Sequence, residues 1–392
     1  MPKKEFRQIT YGGALIGQEE KDAIIKCINK GDGRNWQQGE EGALMEKEAC
    51  DQIGLKYGIL TNSGSSAGLL ALSALELPKG SEVIISAVTF PTIFNIILQC
   101  GLVPVVVDAK VGTYVFDIDE VEKAITKKTK AIIAVHAVGN PVDWVGLKKV
   151  AQKYKIKTIL DNCDGWGTSI NGKKVETYAD ISFTSFHAAH IVSMGVGGGV
   201  FTNNKELAVN VRMYRDWGRQ ANTDKPHTCK TLPKDYNPRF VYDKIGYNFQ
   251  ILELQAAMGR VQLRKADKIK KLRKDNFDYL VKHLSKYKDL IMPTTVKGSD
   301  VCWFALPLTY TGDRGKLVAH LEKNGIETRS MFAGNITRHP AYRDSKYRLG
   351  SKLKEADYIL EHSFWIGVHP RYTQEDREYI ISVFDEFLGS KS

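Results

Sequence analysis

The chain has 392 residues, of which 43% are hydrophobic and 26% charged, with a net charge of +11. This length allows two domains, and the composition excludes a fibrous or disordered protein. The basic residues are spread along the chain, without a helix-turn-helix appendage or a basic stripe, so we expect no nucleic-acid partner. Their densest run, Lys265–Lys274, continues an apolar-periodic helix and is interpreted as a solvated helix face.

The N-terminal segment "MPKKEFRQITYGG" is basic but is followed by no apolar stretch, so we expect no signal peptide. No window reaches the roughly 18 apolar residues of a membrane span, and we expect no membrane partner. The six cysteines include no C-x-x-C pair. This usage is typical of a reduced protein, and the predicted location is cytoplasmic.

Short β-branched runs alternate with helical patterns after about residue 57. The runs are "YGILTNSG", "SEVIISAVTF", "VPVVVDA", "AIIAVHAVG", "KTILDNC", "ISFTSF" and "GGGVFTNN". Continuous apolar strands separated by helices predict an α/β domain whose mixed, mostly parallel sheet is buried on both faces. Ligands of such sheets usually lie beyond the carboxyl ends of the strands.

One long helix is predicted around residues 250–290, followed by a smaller mixture of strands and helices that ends near "QEDREYIISVFDEFL". We therefore predict a large α/β domain over residues 1–265 and a smaller α+β domain over residues 266–392. The sequence shows no internal repeat.

Three stretches have the residue types that chemistry needs. In Thr61–Ala67, "TNSGSSA", a strand ends and an apolar helix begins, which suits an anion site or a plain helix cap. In "LDNCD", two carboxylates directly follow a buried strand, where they need a cation, a metal or solvent. The third stretch, "SFHAAHIVSMG", has two histidines three residues apart and precedes "GVGGGV", which is no dinucleotide fingerprint.

In their order and spacing these stretches resemble the DegT/DnrJ/StrS family of sugar aminotransferases, which have the aspartate-aminotransferase-like fold (fold type I) and use pyridoxal phosphate (PLP). The resemblance runs through nearly the whole chain. It implies a homodimer with shared active sites and no metal. The implied cofactor contacts are Gly64, Ser65 and Ser66 with the phosphate, Phe90 stacked on the ring, Asp161 at the pyridine nitrogen, Asp164 at the ring hydroxyl, Ser185 at the phosphate or ring, and Asn248 at the phosphate of the neighbouring subunit.

One position departs from the family pattern. The usual motif is Ser-Phe-His-x-x-Lys, whose lysine binds the cofactor covalently, and here that position is His190. Imidazole cannot form an imine, but its ordinary pKa of about 6.5 suits a base near neutral pH. We therefore predict His190 and Asp161 as the catalytic residues, and interpret His187 as structural or as a contact behind the site.

The same His-for-Lys change occurs in a subclass of the family, the 3-dehydratases of nucleotide-linked 4-keto-6-deoxy sugars. The segments "NSGSSAGLLAL", "RDWGR", "FAGNITRHP" and "FWIGVHP" also resemble this subclass. It implies removal of the C3 hydroxyl by PLP and its amine form, pyridoxamine phosphate (PMP), with L-glutamate as amino donor. We also expect contacts of the sugar nucleotide with Arg219, Phe332, Asn335 and Arg338.

Two kinds of 3-dehydratase differ in their cysteines. The kind that acts on a CDP sugar has an iron–sulfur cluster and needs a reductase, and Cys163 matches one of its ligands. Three more cysteine ligands of the cluster are expected between Gln220 and Phe240, but Cys229 is the only cysteine in that stretch. We predict no cluster, which favours GDP-4-keto-6-deoxy-D-mannose as substrate and a colitose-type product. The alternatives are a sugar aminotransferase, a CDP-sugar dehydrase with a reductase, and an inactive regulatory paralogue.

Overall fold

The computed structural model describes residues 6–30, 36–220 and 228–389. Within these ranges no helix is both long enough and apolar enough to span a lipid bilayer. The helices are α1 (Gln18–Lys30), α2 (Glu40–Ile53), α3 (Gly64–Ser73), α4 (Pro91–Gln99), α5 (Ile118–Lys123), α6 (Trp144–Tyr154), α7 (Lys205–Arg215), α8 (Glu253–Leu284), α9 (Arg314–Lys323), α10 (Lys354–His362) and α11 (Gln374–Leu388).

Over the described ranges the strands form three sheets. They are β1 (Tyr57–Thr61), β2 (Glu82–Ser86), β3 (Val103–Val107), β4 (Thr129–Val135), β5 (Lys157–Asp161), β6 (Ser169–Ile170), β7 (Lys173–Lys174), β8 (Ile181–Ser185), β9 (Gly198–Thr202), β10 (Leu290–Ile291), β11 (Ser299–Asp300), β12 (Ala305–Tyr310), β13 (Thr328–Ser330), β14 (Arg348–Leu349) and β15 (Ser363–Gly367).

The large sheet has the strand order β1-β9-β8-β5-β4-β2-β3-β14. Of these eight strands, β9 alone runs in the direction opposite to the others. Nearly every residue of β2, β4 and β5 is buried, because helices cover both faces. This confirms the predicted fold type I α/β architecture, and all seven predicted strand runs contain strands of this sheet.

An antiparallel sheet of order β10-β12-β15-β13 is built from residues 290–367. The predicted domain boundary at residue 265 falls inside α8, and the last strand of the large sheet, β14, comes from beyond it. Arg348 on β14 donates to the Glu82 carboxylate on β2 at 3.0 and 2.9 Å. The two regions are therefore interlocked, and the division at residue 265 stays a prediction.

The basic run Lys265–Lys274 on α8 is only partly exposed to solvent. Lys268, Lys271 and Lys274 are exposed as expected, but Arg273 is only 1% exposed. The interpretation of the whole run as solvated is therefore wrong at Arg273, which follows Ala266 and Ile269 along the buried stripe of the helix.

The first residue of α8 caps another helix. Gly39 precedes α2 and offers no side chain to its free N–H groups. The buried Glu253 carboxylate accepts hydrogen bonds from the backbone N–H groups of Gly39, Glu41 and Gly42. A carboxylate at a helix N-terminus also interacts favourably with the helix dipole.

Glu253→Ala should therefore destabilise the protein by about 2 kcal/mol, because it leaves three backbone donors without their acceptor. Glu253→Gln keeps one acceptor oxygen and should cost about half as much. Urea denaturation of the two variants measures the difference. Equal stability of the alanine variant and the wild type would show that water replaces the cap.

Candidate active site

The carboxyl ends of β1, β5 and β8 lie at one edge of the large sheet, where they carry Thr61, Asp161 and Ser185. Two glycines let the chain come close here. A Cβ on Gly64 would lie 2.6 Å from the Cβ of Ser185, and one on Gly198 would lie 2.4 Å from the Ser63 carbonyl oxygen. Gly64 of the predicted phosphate turn is therefore required by its close approach to Ser185.

The turn before α3 exposes donors toward this edge. Ser63 caps the helix by accepting a hydrogen bond from the backbone N–H of Ser66 at 3.0 Å. The Ser65 hydroxyl lies 2.7 Å from that of Thr92 at the start of α4, and Ser65 is exposed. The N-terminus of a ten-residue helix with free N–H groups and hydroxyls is suited to a phosphate.

Asp161 is a buried carboxylate at the end of β5, with 6% of its surface exposed. Its Oδ1 accepts the backbone N–H of Cys163 at 3.0 Å. Burial raises the pKa of Asp161 to about 6. Within the described part of the chain no basic side chain forms an ion pair with it, so the site offers an uncompensated carboxylate to a cationic ligand group.

A chain of buried side chains fixes the backbone around Asp161. Trp144 Nε1–H donates to His136 Nε2 at 2.8 Å, which leaves the proton of this imidazole on Nδ1. Nδ1 then donates to Asn162 Oδ1 at 3.1 Å, and Asn162 Nδ2 donates to Glu176 at 2.7 Å. Burial lowers the pKa of His136 to about 3, so this histidine is neutral.

Asp164 approaches the same edge from the loop after β5. Burial, followed by the nearby Asp161 charge, raises the pKa of Asp164 to about 8. The backbone N–H of Val138 acts in the opposite direction and lowers this pKa. Val138 has a φ of +48°, which is unfavourable for a β-branched residue, so strained backbone is retained beside Asp164.

His190 lies in the turn after β8, largely buried against the ring of Phe304 at a centroid distance of 5.5 Å. Its Nδ1 is 3.2 Å from the Ser185 carbonyl oxygen, which can only accept, so Nδ1 bears the proton and Nε2 has a free lone pair. Burial lowers the pKa of His190 to about 4. The imidazole is therefore an unprotonated base at neutral pH.

His190 Nε2 lies 3.5 Å from Asp164 Oδ1, the separation of an ion pair. The raised pKa of Asp164 and the lowered pKa of His190 instead indicate a neutral acid facing a neutral imidazole. We favour the neutral pair, because the Nδ1 tautomer aims a lone pair, and not a proton, at the carboxyl group. Asp164 can then supply a hydrogen-bond donor to this site.

Phe90 and Phe332 come together from distant parts of the sequence, with ring centroids 6.4 Å apart. The Ile336 N–H donates to the Ala87 carbonyl at 3.0 Å and thereby joins the loop of Phe332 to the loop of Phe90. Phe90 is 54% exposed, which leaves its ring free to stack on a ligand.

Two other predicted substrate residues have internal partners. Asn335 is fully buried, where its amide donates to Asp357 at 2.7 Å and accepts from Thr337 at 3.1 and 2.7 Å. This amide caps a turn, and the contact of Asn335 with substrate stays a prediction. Arg338 is exposed and pairs with the same Asp357.

Arg219 and Asn248 lie in the loops between α7 and α8. The Arg219 guanidinium lies over the Trp217 ring, 5.3 Å from its centroid, and Arg219 lines a cavity of about 900 Å³ between α2 and α7. Asn248 is exposed. Neither residue contacts His190 among the described residues, so their predicted roles rest on the family resemblance.

The residues that pack behind His190 belong to none of the sequence motifs. Arg273 on α8 donates through Nη1 to the Phe304 carbonyl at 2.7 Å and through Nη2 to the Ala189 carbonyl at 3.3 Å. Tyr11 packs edge-to-face against Phe304 and Trp365, with centroids 6.4 and 5.2 Å away. The signal for Arg273 was its position on the apolar stripe of α8, whereas no motif marks Phe304 or Tyr11.

These residues fit a pyridoxal-type cofactor. The α3 turn with Ser65 and Ser185 would hold its phosphate, the exposed Phe90 ring its pyridine ring, and the unpaired Asp161 carboxylate its protonated nitrogen. No lysine follows Phe186 in this turn. Within the described ranges no cluster of three or more possible ligands for a metal ion is present.

The family model of the DegT/DnrJ/EryC1/StrS aminotransferases matches residues 15–385. The chain belongs to this family, which confirms the resemblance seen in the sequence. It is therefore a PLP-dependent enzyme of the class that acts on sugars.

Curated relatives include several sugar enzymes. The lipopolysaccharide biosynthesis protein RfbH of Salmonella typhimurium is 37% identical over 96% of this chain and 91% of its own. The dTDP-4-dehydro-2,6-dideoxy-D-glucose 3-dehydratase of Saccharopolyspora spinosa is 35% identical over 98% of this chain and 87% of its own. The GDP-4-keto-6-deoxy-D-mannose 3-dehydratase of Yersinia pseudotuberculosis is 31% identical over 90% of this chain and 92% of its own.

Solved structures agree with this family. The Escherichia coli GDP-4-keto-6-deoxy-D-mannose-3-dehydratase with bound hydrated PLP has a TM-score of 0.89 at 25% identity, covering 97% of this chain and 100% of that one. A histidine-to-asparagine mutant of a GDP-4-keto-6-deoxymannose-3-dehydratase, with bound GDP-perosamine, has a TM-score of 0.88 at 25% identity, over 97% and 100%.

Trp144→Phe should destabilise the protein by about 1–3 kcal/mol, because it leaves the buried His136 Nε2 without a donor. Trp166→Phe is the matched control: Trp166 Nε1 donates at 3.2 Å to Oε1 of Gln52, which is only partly buried and can accept from water instead. The control should cost less in denaturant unfolding. An equal cost for both would show that ring volume, and not the hydrogen bond, determines the effect.

Proposed function

We propose that this protein is a PLP/PMP-dependent 3-dehydratase that removes the C3 hydroxyl of a nucleotide-linked 4-keto-6-deoxy sugar. L-Glutamate is the proposed amino donor, GDP-4-keto-6-deoxy-D-mannose the proposed substrate, and a colitose-type 3,6-dideoxysugar the proposed pathway product. We further propose a cytoplasmic homodimer with shared active sites and without an iron–sulfur cluster.

The observation that carries this proposal is the tautomer of His190. A residue that replaces the cofactor-binding lysine must be a base with a free lone pair if the site is to be more than a decayed aminotransferase. The Ser185 carbonyl holds the proton on Nδ1, so the lone pair is on Nε2. Burial keeps the ring unprotonated at neutral pH.

PMP would supply an amine for condensation with the C4 ketone and a ring that withdraws electrons as the C3 hydroxyl leaves. The chain supplies the proton handling around that chemistry. Asp161 stabilises positive charge at the pyridine nitrogen, and His190 Nε2 accepts a proton. Phe90 and Phe332 offer an aromatic surface on which the cofactor ring could stack.

The relatives support the reaction class more strongly than the nucleotide. Two of the three relatives described above are named 3-dehydratases, one for a dTDP sugar and one for a GDP sugar. The dTDP-sugar enzyme is the more similar to this chain, which makes a dTDP-linked sugar the second candidate substrate. GDP-perosamine synthases match at 27% identity over 98% of the chain, so 4-amination is the alternative reaction.

Mass spectrometry tests the reaction after incubation of the protein with GDP-4-keto-6-deoxymannose, PLP and L-glutamate. We expect a sugar nucleotide in which the C3 hydroxyl is replaced by hydrogen, together with 2-oxoglutarate. A 4-amino sugar would overturn the dehydratase proposal. An unchanged GDP sugar with turnover of a CDP- or dTDP-linked substrate would overturn the nucleotide alone.

Two substitutions at His190 separate its roles. His190→Asn should abolish dehydration, by at least about 100-fold as expected for loss of a general base, while PLP still binds. His190→Lys restores a primary amine and should bind PLP covalently, seen as an absorbance shift. Dehydration by the asparagine variant would remove His190 from the role of base, and an absorbance like that of free PLP in the lysine variant would contradict its placement.

A further inference from the structure

Arg273 is a buried cation that the proposed reaction does not use. It lies in the middle of α8, in none of the motifs of the site, and is only 1% exposed. No carboxylate forms an ion pair with it among the described residues, and its Nε finds no hydrogen-bond partner there. A charge buried in this way is costly, so its presence requires an explanation.

The hydrogen bonds of Arg273 lead to the surroundings of His190. Nη2 donates to the carbonyl of Ala189, the residue just before His190, and Nη1 donates to the carbonyl of Phe304, whose ring packs on His190. The guanidinium also lies 5.5 Å from the centroid of that same Phe304 ring. One side chain thus fixes the backbone before the imidazole and the aromatic wall against which the imidazole rests.

We propose that Arg273 is a positioning residue for His190, which holds the turn that orients the imidazole and places a fixed positive charge behind it. This inference deepens the proposed function, because it concerns the side chain proposed there as the base. Arg273 acts through the backbone and through its charge.

The charges around His190 agree with this role. The titratable groups that face it are Asp164 from the loop after β5, His187 from its own turn and Arg273 from α8. Burial is the largest cause of the lowered pKa of His190, and the positive charge of Arg273 acts in the same direction. Removing that charge should therefore raise the pKa of His190.

The groups behind Arg273 do not cancel its charge. Burial lowers the pKa of His369 to about 4 and raises that of Tyr372, so both are neutral at pH 7. Burial also lowers the pKa of Arg273 itself, but a guanidinium starts from above 12 and stays charged.

The test is a ¹⁵N NMR titration of the histidines in the cofactor-free protein, with the His190 signal identified by its loss in His190→Asn. Arg273→Met removes the positive charge and the two guanidinium hydrogen bonds. It should therefore raise the pKa of His190 by about one unit and allow both the Nδ1–H and the Nε2–H tautomer. Arg273→Lys keeps the charge but cannot make both guanidinium hydrogen bonds, so the pKa of His190 should stay near that of the wild type while both tautomers are populated. Lys274 is the exposed neighbour of Arg273, and Lys274→Met should change neither the pKa nor the tautomer of His190.

An unchanged pKa and tautomer of His190 in Arg273→Met would overturn the inference. If that variant does not fold, Arg273→Lys decides: a single Nδ1–H tautomer, as in the wild type, would overturn the positioning role. The titration needs neither cofactor nor sugar nucleotide. A failure of the proposed dehydration with the expected titration result would therefore leave the role of Arg273 intact.

Discussion

The structure of the site depends on one constraint, a carboxylate held under burial at the carboxyl end of β5. Asp161 has no cationic side chain to pair with in the described chain, and its backbone is fixed instead. The His136 N–H donates to the Asp161 carbonyl, and the Asn162 N–H donates to the Phe183 carbonyl across the sheet. The hydrogen bonds that join Trp144, His136, Asn162 and Glu176 then hold the Asn162 side chain in place. A site built this way keeps a negative charge ready for a cationic ligand group without reorganisation.

Burial also decides which group of the site can donate a proton and which can accept one. Two carboxylates and one imidazole lie together, and burial reverses the usual order of two of their pKa values, because it raises that of Asp164 to about 8 and lowers that of His190 to about 4. Neutral forms of both therefore coexist at neutral pH. The arrangement resembles other sites in which neighbouring groups divide proton donation and acceptance through burial, and it needs no lysine.

Much of this could be predicted from the sequence because the strands are apolar runs and the site residues directly follow them. Asp161 and Ser185 lie together because β5 and β8 are parallel neighbours. Asn335 shows the limit, since a motif does not reveal that its buried amide is hydrogen-bonded to Asp357 and Thr337. Arg273 was assigned to solvent because charge in a lysine-rich run outweighed its place on the apolar stripe, and only tertiary packing reveals the carbonyls that it binds.

The edge strand β14 has a consequence for how the chain is made. It pairs with β3, whose sequence "VPVVV" is apolar and which would otherwise end the large sheet. On a ribosome, β3 emerges about 240 residues before its partner, so a nascent chain exposes an unpaired hydrophobic edge for most of its synthesis. Fragments that end before Arg348 would carry the same open edge, and they would associate with one another or with chaperones before they could form a separate domain.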